Sequence, residues 1–365
     1  MKRILIIDSY YGGSHKYWID NLKQRLPYQI DLLTLPVHNW KLRMQTSGLI
    51  LAKQYIQRDK EYDLIIFTDI LNIPQFLVMA NIPSHTKTVL YFHENQFAYP
   101  KSLQDTDIIE KRDEHYCFIN LQSALAVDEV LFNSQYNKES FINGAMNLLK
   151  RLQIKELKSD IDNISKTAKV LPQGIEYAKI QSIKVSKSVT PRILWNHRWE
   201  YDKGLMEFIS FSQKLQEEGM QFELLMLGKG REKFLDRNPK ILDSLKNHIV
   251  IDDHIEDKEE YFAKIKSSHL LPVFSKHDFF GVSVVEAIAA GVHPLLPNRL
   301  AYPEHISPQN FPGCYYNSES ELLQKTKDLF HTNKFSSSTS ENMSKYDWES
   351  NVIPSYQVFI DCLTN

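Results

Sequence analysis

The sequence predicts two doubly wound α/β domains, each a parallel sheet with helices on both faces. Three observations carry this. A chain of 365 residues exceeds the roughly 250–300 residues at which a single hydrophobic core stops growing. Short runs rich in aliphatic and β-branched residues alternate with stretches of helical periodicity, the pattern of strands buried on both faces. That pattern halts in a Lys- and Ser-rich stretch near 176–191 and then begins again.

In the first series the strands are expected at 3–7, 30–33, 64–67, 89–92 and 130–132. Each ends in small or polar residues: Asp8 to His15, Thr68 with Asp69, His93 to Gln96, and Asn133 with Ser134. Open α/β sheets place ligands at such carboxyl ends. The second series has strands at 193–195, 222–227, 249–251, 270–274 and 293–296, with helices at 205–217 and 282–290. Two such series imply domains at 1–175 and 176–345 that face each other across a cleft. The serine-rich piece Ser336 to Ser340 reads as a linker, and 346–365 as an amphipathic helix that packs back across the domain junction, with Trp348, Val352, Tyr356 and Phe359 on one face.

Composition narrows the classes. Hydrophobic residues make up 42% and charged residues 24%, so the chain is expected to be ordered nearly throughout. Cys117, Cys314 and Cys362 cannot all pair with one another and show no C-x-x-C spacing, which fits a reducing compartment and argues against structural zinc. The apolar run before Asp8 is too short for a signal peptide and no run reaches 18 residues, so a cytoplasmic protein with no membrane partner is expected. The net charge of −2 hides a local surplus: between Lys138 and Arg192 stand eleven Lys or Arg against five Asp or Glu. That stretch suits either a solvated helix face with a linker or the footprint of a polyanion.

Four segments carry residues fit for chemistry. Gly12 and Gly13 follow the first strand and open a helix, where backbone N–H groups can approach a phosphate; the spacing is not G-x-G-x-x-G, which disfavours a dinucleotide. Arg198 and Lys203 stand five apart at another strand end, where both cations could converge on a diphosphate. Asp278 lies eight residues before Glu286, with Phe280, Gly281, Val282 and Ser283 at a helix start between them. One carboxylate can accept from sugar hydroxyls and the other from a ribose diol, while the helix start receives phosphate charge. His93, Glu94, Asn95 and Gln96 arrive together at a strand end, suited to sugar or phosphate contact, and are not the H-E-x-x-H of a zinc protease. Asp105, Thr106 and Asp107 mimic a D-x-D metal motif without a strand leading into them, and Gly228, Lys229 and Gly230 form a turn after a strand.

Taken together, the Gly12 and Gly13 turn, Arg198 with Lys203, and Asp278 before Glu286 resemble the retaining GT-B glycosyltransferases of family 4, built from two Rossmann-like domains. That family usually has Glu at both acidic positions, so Asp278 is a departure. Tyr11-Gly-Gly-Ser-His-Lys16, Tyr91-Phe-His-Glu-Asn-Gln-Phe-Ala-Tyr-Pro100, Phe132-Asn-Ser134, Asn196-His-Arg-Trp-Glu200 and Pro297-Asn-Arg-Leu-Ala-Tyr-Pro-Glu304 are similar to the tRNA-queuosine mannosyltransferase family, also called glycosyltransferase-like domain-containing proteins. The likeness spans essentially the whole chain.

The resemblance implies GDP-mannose as donor and queuosine in a tRNA anticodon as acceptor; no metal or other cofactor is expected, since the sequence shows no metal-ligand spacing. It implies that Gly12, Gly13 and the backbone of Phe280, Gly281, Val282 and Ser283 hold the diphosphate, that Arg198 and Lys203 neutralise it, and that Glu286 binds the ribose. His93 would sit beside the reacting sugar and Asp278 would hold its hydroxyls, with Ser14, His15, Glu94, Asn95 and Gln96 on the acceptor side. Two other readings stay open: the same chemistry with another nucleotide sugar and a glycan or lipid acceptor, and a non-catalytic RNA-binding module on the same scaffold. The latter requires a broken phosphate-binding set, yet Arg198, Lys203 and Glu286 are all present.

Overall fold

A computed structural model describes residues 1–100, 114–251 and 253–365. Asp105, Thr106 and Asp107 lie outside the described residues. The chain divides into two compact units, the first formed by Met1–Gly174 with Trp348–Asn365 and the second by Ile175–Asp347.

The first unit is built on β1 (Arg3–Tyr11), β2 (Gln29–Pro36), β3 (Leu64–Thr68), β4 (Lys87–Phe92), β5 (Glu129–Phe132) and β6 (Lys169–Val170). They form one sheet in the order β2-β1-β3-β4-β5-β6, parallel at every pairing. The two-residue alternation of strands sorts the side chains. Leu5, Ile7, Ile65, Phe67, Leu90 and Phe92 build the core on one face, and Ile4, Ile6, Leu64, Ile66, Val89 and Tyr91 the core on the other. The first face is covered by helices that include α2 (Trp40–Ile56), α3 (Ile73–Ala80), α4 (Glu114–Leu125), α5 (Gln135–Leu152) and α6 (Lys158–Thr167). The second is covered by α1 (Gly13–Arg25) and by the end of the chain, where Trp348, Val352, Ile353, Tyr356, Phe359 and Ile360 pack beside Trp18 and Tyr91. The indole N–H of Trp18 donates to the Tyr356 hydroxyl at 2.9 Å.

In the second unit α7 (Tyr177–Ser182) precedes β7 (Arg192–Trp195), α8 (Leu205–Glu217), β8 (Glu223–Met226), α9 (Arg231–Arg237), β9 (Ile249–Ile251), α10 (Lys258–Lys266) and β10 (Leu270–Pro272). Then come α11 (Val282–Ala289), β11 (His293–Pro297), α12 (Tyr302–His305), β12 (Tyr315–Tyr316) and α13 (Glu319–Thr332). The sheet runs β12-β11-β10-β7-β8-β9, the strand order of a dinucleotide-binding Rossmann sheet read from its other edge. Leu194, Leu225 and Leu271 face α11, and Ile193, Trp195, Leu224, Met226 and Leu270 face α8. Among the described residues no helix is long and apolar enough to cross a membrane.

Strand order reverses between β1 and β3 in one unit and between β7 and β10 in the other. Those reversals open crevices at the carboxyl ends where ligands bind in such sheets. The residues that leave these four strands are the polar segments already singled out: Asp8 to His15, Asp69, Asn196 to Lys203, and Ser275 to Asp278.

One expectation needs correction. The serine run is not a linker: Thr339 is buried and the Ser340 hydroxyl donates to the Ala289 carbonyl at the end of α11. The Ser340 hydroxyl thus ties the run to the backbone of the second unit. Three of the eleven cations between 138 and 192 are engaged within the fold. Lys138 donates to the Ala168 carbonyl at 2.6 Å, Arg192 pairs with Glu223 at 2.6 Å, and Lys187 is drawn onto the Gly291 carbonyl at 3.1 Å.

Candidate active site

In the first unit the end of β1 delivers Asp8, whose side chain has no solvent exposure. Its Oδ1 accepts the Tyr10 backbone N–H at 2.7 Å. Its Oδ2 lies 2.7 Å from His15 Nδ1 and accepts the Thr68 hydroxyl at 2.9 Å. His15 rides on the first turn of α1, which opens at Gly12 and Gly13. A Cβ on Gly12 would fall 2.2 Å from Val37 Cγ2, and Gly13 has φ +53°, so glycine is favoured by side-chain crowding at the first position and by the backbone at the second. Ser14 is exposed there.

The His15 ring stacks on His93 with centroids 4.0 Å apart and planes at 23°. Three bonds fix His93. Its backbone N–H donates to Asp69 Oδ1 at 2.9 Å, its carbonyl accepts from Asn133 Nδ2 at 2.8 Å, and its Nδ1 lies 2.6 Å from Gln173 Nε2. Trp18 closes the ring's flank edge-on at 5.0 Å. His93 Nε2 is buried and has no protein partner among the described residues.

These neighbours polarise the cluster. Burial opposes charge on His15, but Asp8, then Asp69 and Glu94, outweigh it and lift its pKa to about 9. Burial and the cationic His15 together hold His93 well below the usual imidazole range. Burial pushes the Asp69 carboxyl up, and Glu94 adds to the push against the opposing His15. Because the folded value of His15 is raised, its contribution to stability is complete below the unfolded imidazole pKa of about 6.5 and is lost as pH climbs to about 9. Urea unfolding at a series of pH values is therefore expected to show stability falling by up to about 1.4 kcal/mol per pH unit in that window. His15→Gln should remove that component of the slope; an unchanged slope in the variant would show that His15 does not carry it.

Asn95 is a correction. Its side chain is wholly buried and spent inside the protein: the amide donates to Asn137 Oδ1 at 2.8 Å and Ser140 Oγ at 2.9 Å, and its Oδ1 accepts the N–H groups of Phe97 and Ala98. It pins the loop after β4 to the start of α5 and is not presented to a ligand. Gln96 is buried next to it, with its N–H on Asn120 Oδ1 at 2.8 Å. Glu94 is half-buried.

In the second unit the loop after β7 carries two cations with different surroundings. Arg198 has 58% of its side chain exposed, beside Glu200 at 3.1 Å. Lys203 is buried, and its ammonium donates to the His277 carbonyl at 2.7 Å and Asp278 Oδ1 at 2.9 Å, with Asp202 Oδ2 at 3.1 Å. The expected convergence of both cations on one diphosphate is thus not what the fold builds, because the donors of Lys203 are taken by two carboxylates and a carbonyl. Tyr302 donates to the other oxygen of Asp278 at 2.6 Å. Burial works against ionisation of Asp278, yet Lys203, His197 and the Tyr302 hydroxyl hold it far below the usual carboxylate range. Burial likewise opposes charge on Lys203, and Asp278 with Asp202 reverses this and raises its pKa.

Helix α11 begins at Gly281, which has φ +79°, a conformation that glycine adopts without strain. The first N–H groups of a helix lack intrahelical acceptors and carry partial positive charge. The preceding carbonyl of Phe280 is fixed by His305 Nε2 at 2.6 Å, and Asn196 and His197 reach the first turn through Ser283, at 2.7 Å to its carbonyl and 3.0 Å to its hydroxyl. One turn further on, Glu286 is buried with Oε1 3.3 Å from Lys258 Nζ and Oε2 3.2 Å from the Tyr261 hydroxyl. Gly228 to Gly230 follow β8, where the Lys229 carbonyl accepts the Trp199 N–H at 2.9 Å.

Fold therefore assembles Arg198, the start of α11 and Glu286 in one unit, and His15, His93 and Glu94 in the other. Sequence reasoning missed Gln173, Tyr302, Tyr261 and Lys258. Among the described residues no three His, Cys, Asp or Glu side chains gather as a metal-holding group.

Comparison with known proteins gives a consistent picture. The family described as tRNA-queuosine alpha-mannosyltransferase N-terminal matches residues 3–175. The tRNA-queuosine alpha-mannosyltransferase of Drosophila melanogaster is 30% identical over 332 residues, covering 88% of this chain and 85% of that protein. The GDP-mannose:cellobiosyl-diphosphopolyprenol alpha-mannosyltransferase of Xanthomonas oryzae pv. oryzae is 22% identical over 197 residues, half of this chain and 49% of that one. Among solved structures, sucrose-phosphate synthase of Thermosynechococcus elongatus superposes with a TM-score of 0.72 at 14% identity over 99% of both chains. Anabaena HepE in complex with UDP superposes with a TM-score of 0.69 at 14% identity over the whole of both. The fold is GT-B.

Proposed function

Since the chain belongs to the tRNA-queuosine alpha-mannosyltransferase family and is a glycosyltransferase, we propose that it transfers mannose from GDP-mannose to queuosine in a tRNA anticodon, with retention of anomeric configuration. The observation that carries this reading is the 30% identity extending over 88% of the chain. Half a chain of similarity to a GDP-mannose-dependent relative agrees with the donor.

In this reading the donor belongs to the second unit. The free N–H groups of Val282 and Ser283 and the Arg198 guanidinium take the diphosphate charge that grows as the glycosidic bond breaks. Glu286 accepts from the ribose diol, and the remaining lone pairs of Asp278 accept from sugar hydroxyls. Lys203 acts at one remove: it keeps Asp278 ionised and aimed. His93 contacts the sugar, while Ser14, His15 and Glu94 supply the acceptor side. The acceptor oxygen forms its bond to the sugar's anomeric carbon as the bond to the diphosphate breaks, and a donor phosphate oxygen takes the acceptor's proton.

Radiolabelled GDP-mannose incubated with queuosine-containing and queuosine-lacking tRNA tests the reading. Label is expected in the first alone, and equal or absent incorporation would overturn it. The Arg198 guanidinium and a helix start supply the charge stabilisation in this reading, so turnover is expected to be unchanged in EDTA; a loss restored by a divalent cation would contradict that.

A further inference from the structure

The imidazole of His93 has one nitrogen bound and one left over. Nδ1 lies 2.6 Å from Nε2 of Gln173, an amide nitrogen that donates and cannot accept. Gln173 is itself buried, on the loop that follows β6. With Nδ1 as acceptor, the single proton of a neutral ring resides on Nε2. That nitrogen is buried and without a protein partner among the described residues. A buried donor left unmade costs free energy that folding alone does not return, so an orphan at the carboxyl edge of a sheet points to a ligand.

Charge around the ring acts in the same direction. His15 lies flat against it with centroids 4.0 Å apart, and its Nδ1 is held by Asp8 at 2.7 Å. A protonated His15 in that position opposes a second proton on His93. The other titratable groups that face this region are Asp69, bonded to the His93 backbone N–H, Glu94 next in the chain, and Tyr91, whose ring centroid is 4.8 Å away.

We propose that Gln173 is a positioning residue that fixes His93 as a neutral Nε2–H donor, and that this N–H is delivered to a sugar hydroxyl oxygen rather than serving as a base. The assignment rests on the glycosyltransferase reading for the identity of its ligand, while the tautomer itself does not. The opposite amide orientation would place the proton on Nδ1 and leave Nε2 as an acceptor.

The two arrangements separate in experiment. In the wild-type chain labelled with ¹⁵N-histidine, two-bond proton–nitrogen correlations, with the His93 signal identified by its loss in His93→Gln, are expected to show Nε2 protonated and Nδ1 as the bare nitrogen. A proton on Nδ1 overturns the proposal. Gln173→Glu supplies the kinetic readout. Its carboxylate draws a second proton onto the ring at neutral pH and leaves Nε2–H in place, so kcat is expected to stay within about tenfold there. At alkaline pH the ring loses one proton, Nδ1–H turns to the new carboxylate and Nε2 loses its hydrogen. A falling alkaline limb absent from the wild type should appear in kcat, while the donor KM changes little. Gln173→Asn is expected to restore the wild-type profile in part. Profiles of wild type and Gln173→Glu that coincide would overturn the proposal. A wild-type chain that labels no tRNA defeats the acceptor assignment instead; the nitrogen spectrum, which needs no acceptor, still decides the tautomer.

Discussion

Lys203→Met is expected to be the most damaging single substitution for stability, at about 3–5 kcal/mol, because it leaves the buried carboxylate of Asp278 without its cation. Lys203 and Asp278 each have only 11% of the side chain exposed and stand 2.9 Å apart. Tyr302 remains on the other oxygen, and one neutral hydrogen bond does not offset a desolvated charge. For a chain of this size the loss corresponds to a fall of roughly 5 °C in Tm. Adding Asp278→Asn should return much of that stability, since it removes the uncompensated charge, but should not return transfer. Thermal unfolding and turnover measured on the single and double variants check both parts. A Lys203→Met chain as stable as wild type would show that the pair is not the buried lock described above.

Glu286→Gln separates binding from folding. Glu286 sits 3% exposed at the second turn of α11, yet its partners are accommodating: Lys258 keeps 46% of its side chain exposed and can turn to water. Stability is expected to change by less than about 1 kcal/mol. The effect on the donor is larger. A carboxylate that accepts both hydroxyls of a ribose contributes roughly 1.5–3 kcal/mol for each charge-assisted bond, so kcat/KM for the nucleotide sugar should fall by about a hundredfold or more. Steady-state kinetics with GDP-mannose, alongside thermal unfolding, give the two numbers. Unchanged kcat/KM would remove Glu286 from the donor site.

Much of this architecture was legible in the residues because the signal is local. A strand buried on both faces needs an unbroken apolar run, and 64–67 and 89–92 are such runs; the structure has buried strands at Leu64–Thr68 and Lys87–Phe92. Lys169–Val170 and Tyr315–Tyr316 escaped because two residues hold no period to detect. The polar ends of strands were visible for the same reason as the strands. What the side chains do there was less so. Asn95 looked like a ligand contact by its company, but a buried amide can equally satisfy a helix start, and Asn137 and Ser140 claim it. Lys203 looked like half of a phosphate clamp with Arg198, and only the fold shows Asp278 arriving from 75 residues away to bind it. Gln173 carries no motif of its own, and Tyr302 stood in the 297–304 segment without an assigned role; each matters through a partner, His93 or Asp278, that chain distance hides.

Solving the chain with GDP bound tests the central assignment most directly. The pyrophosphate is predicted to accept hydrogen bonds from the backbone N–H groups of Val282 and Ser283 and from Arg198, with the ribose hydroxyls on Glu286. A nucleotide held elsewhere on the chain, with Glu286 still turned to Lys258 and Tyr261, would contradict it.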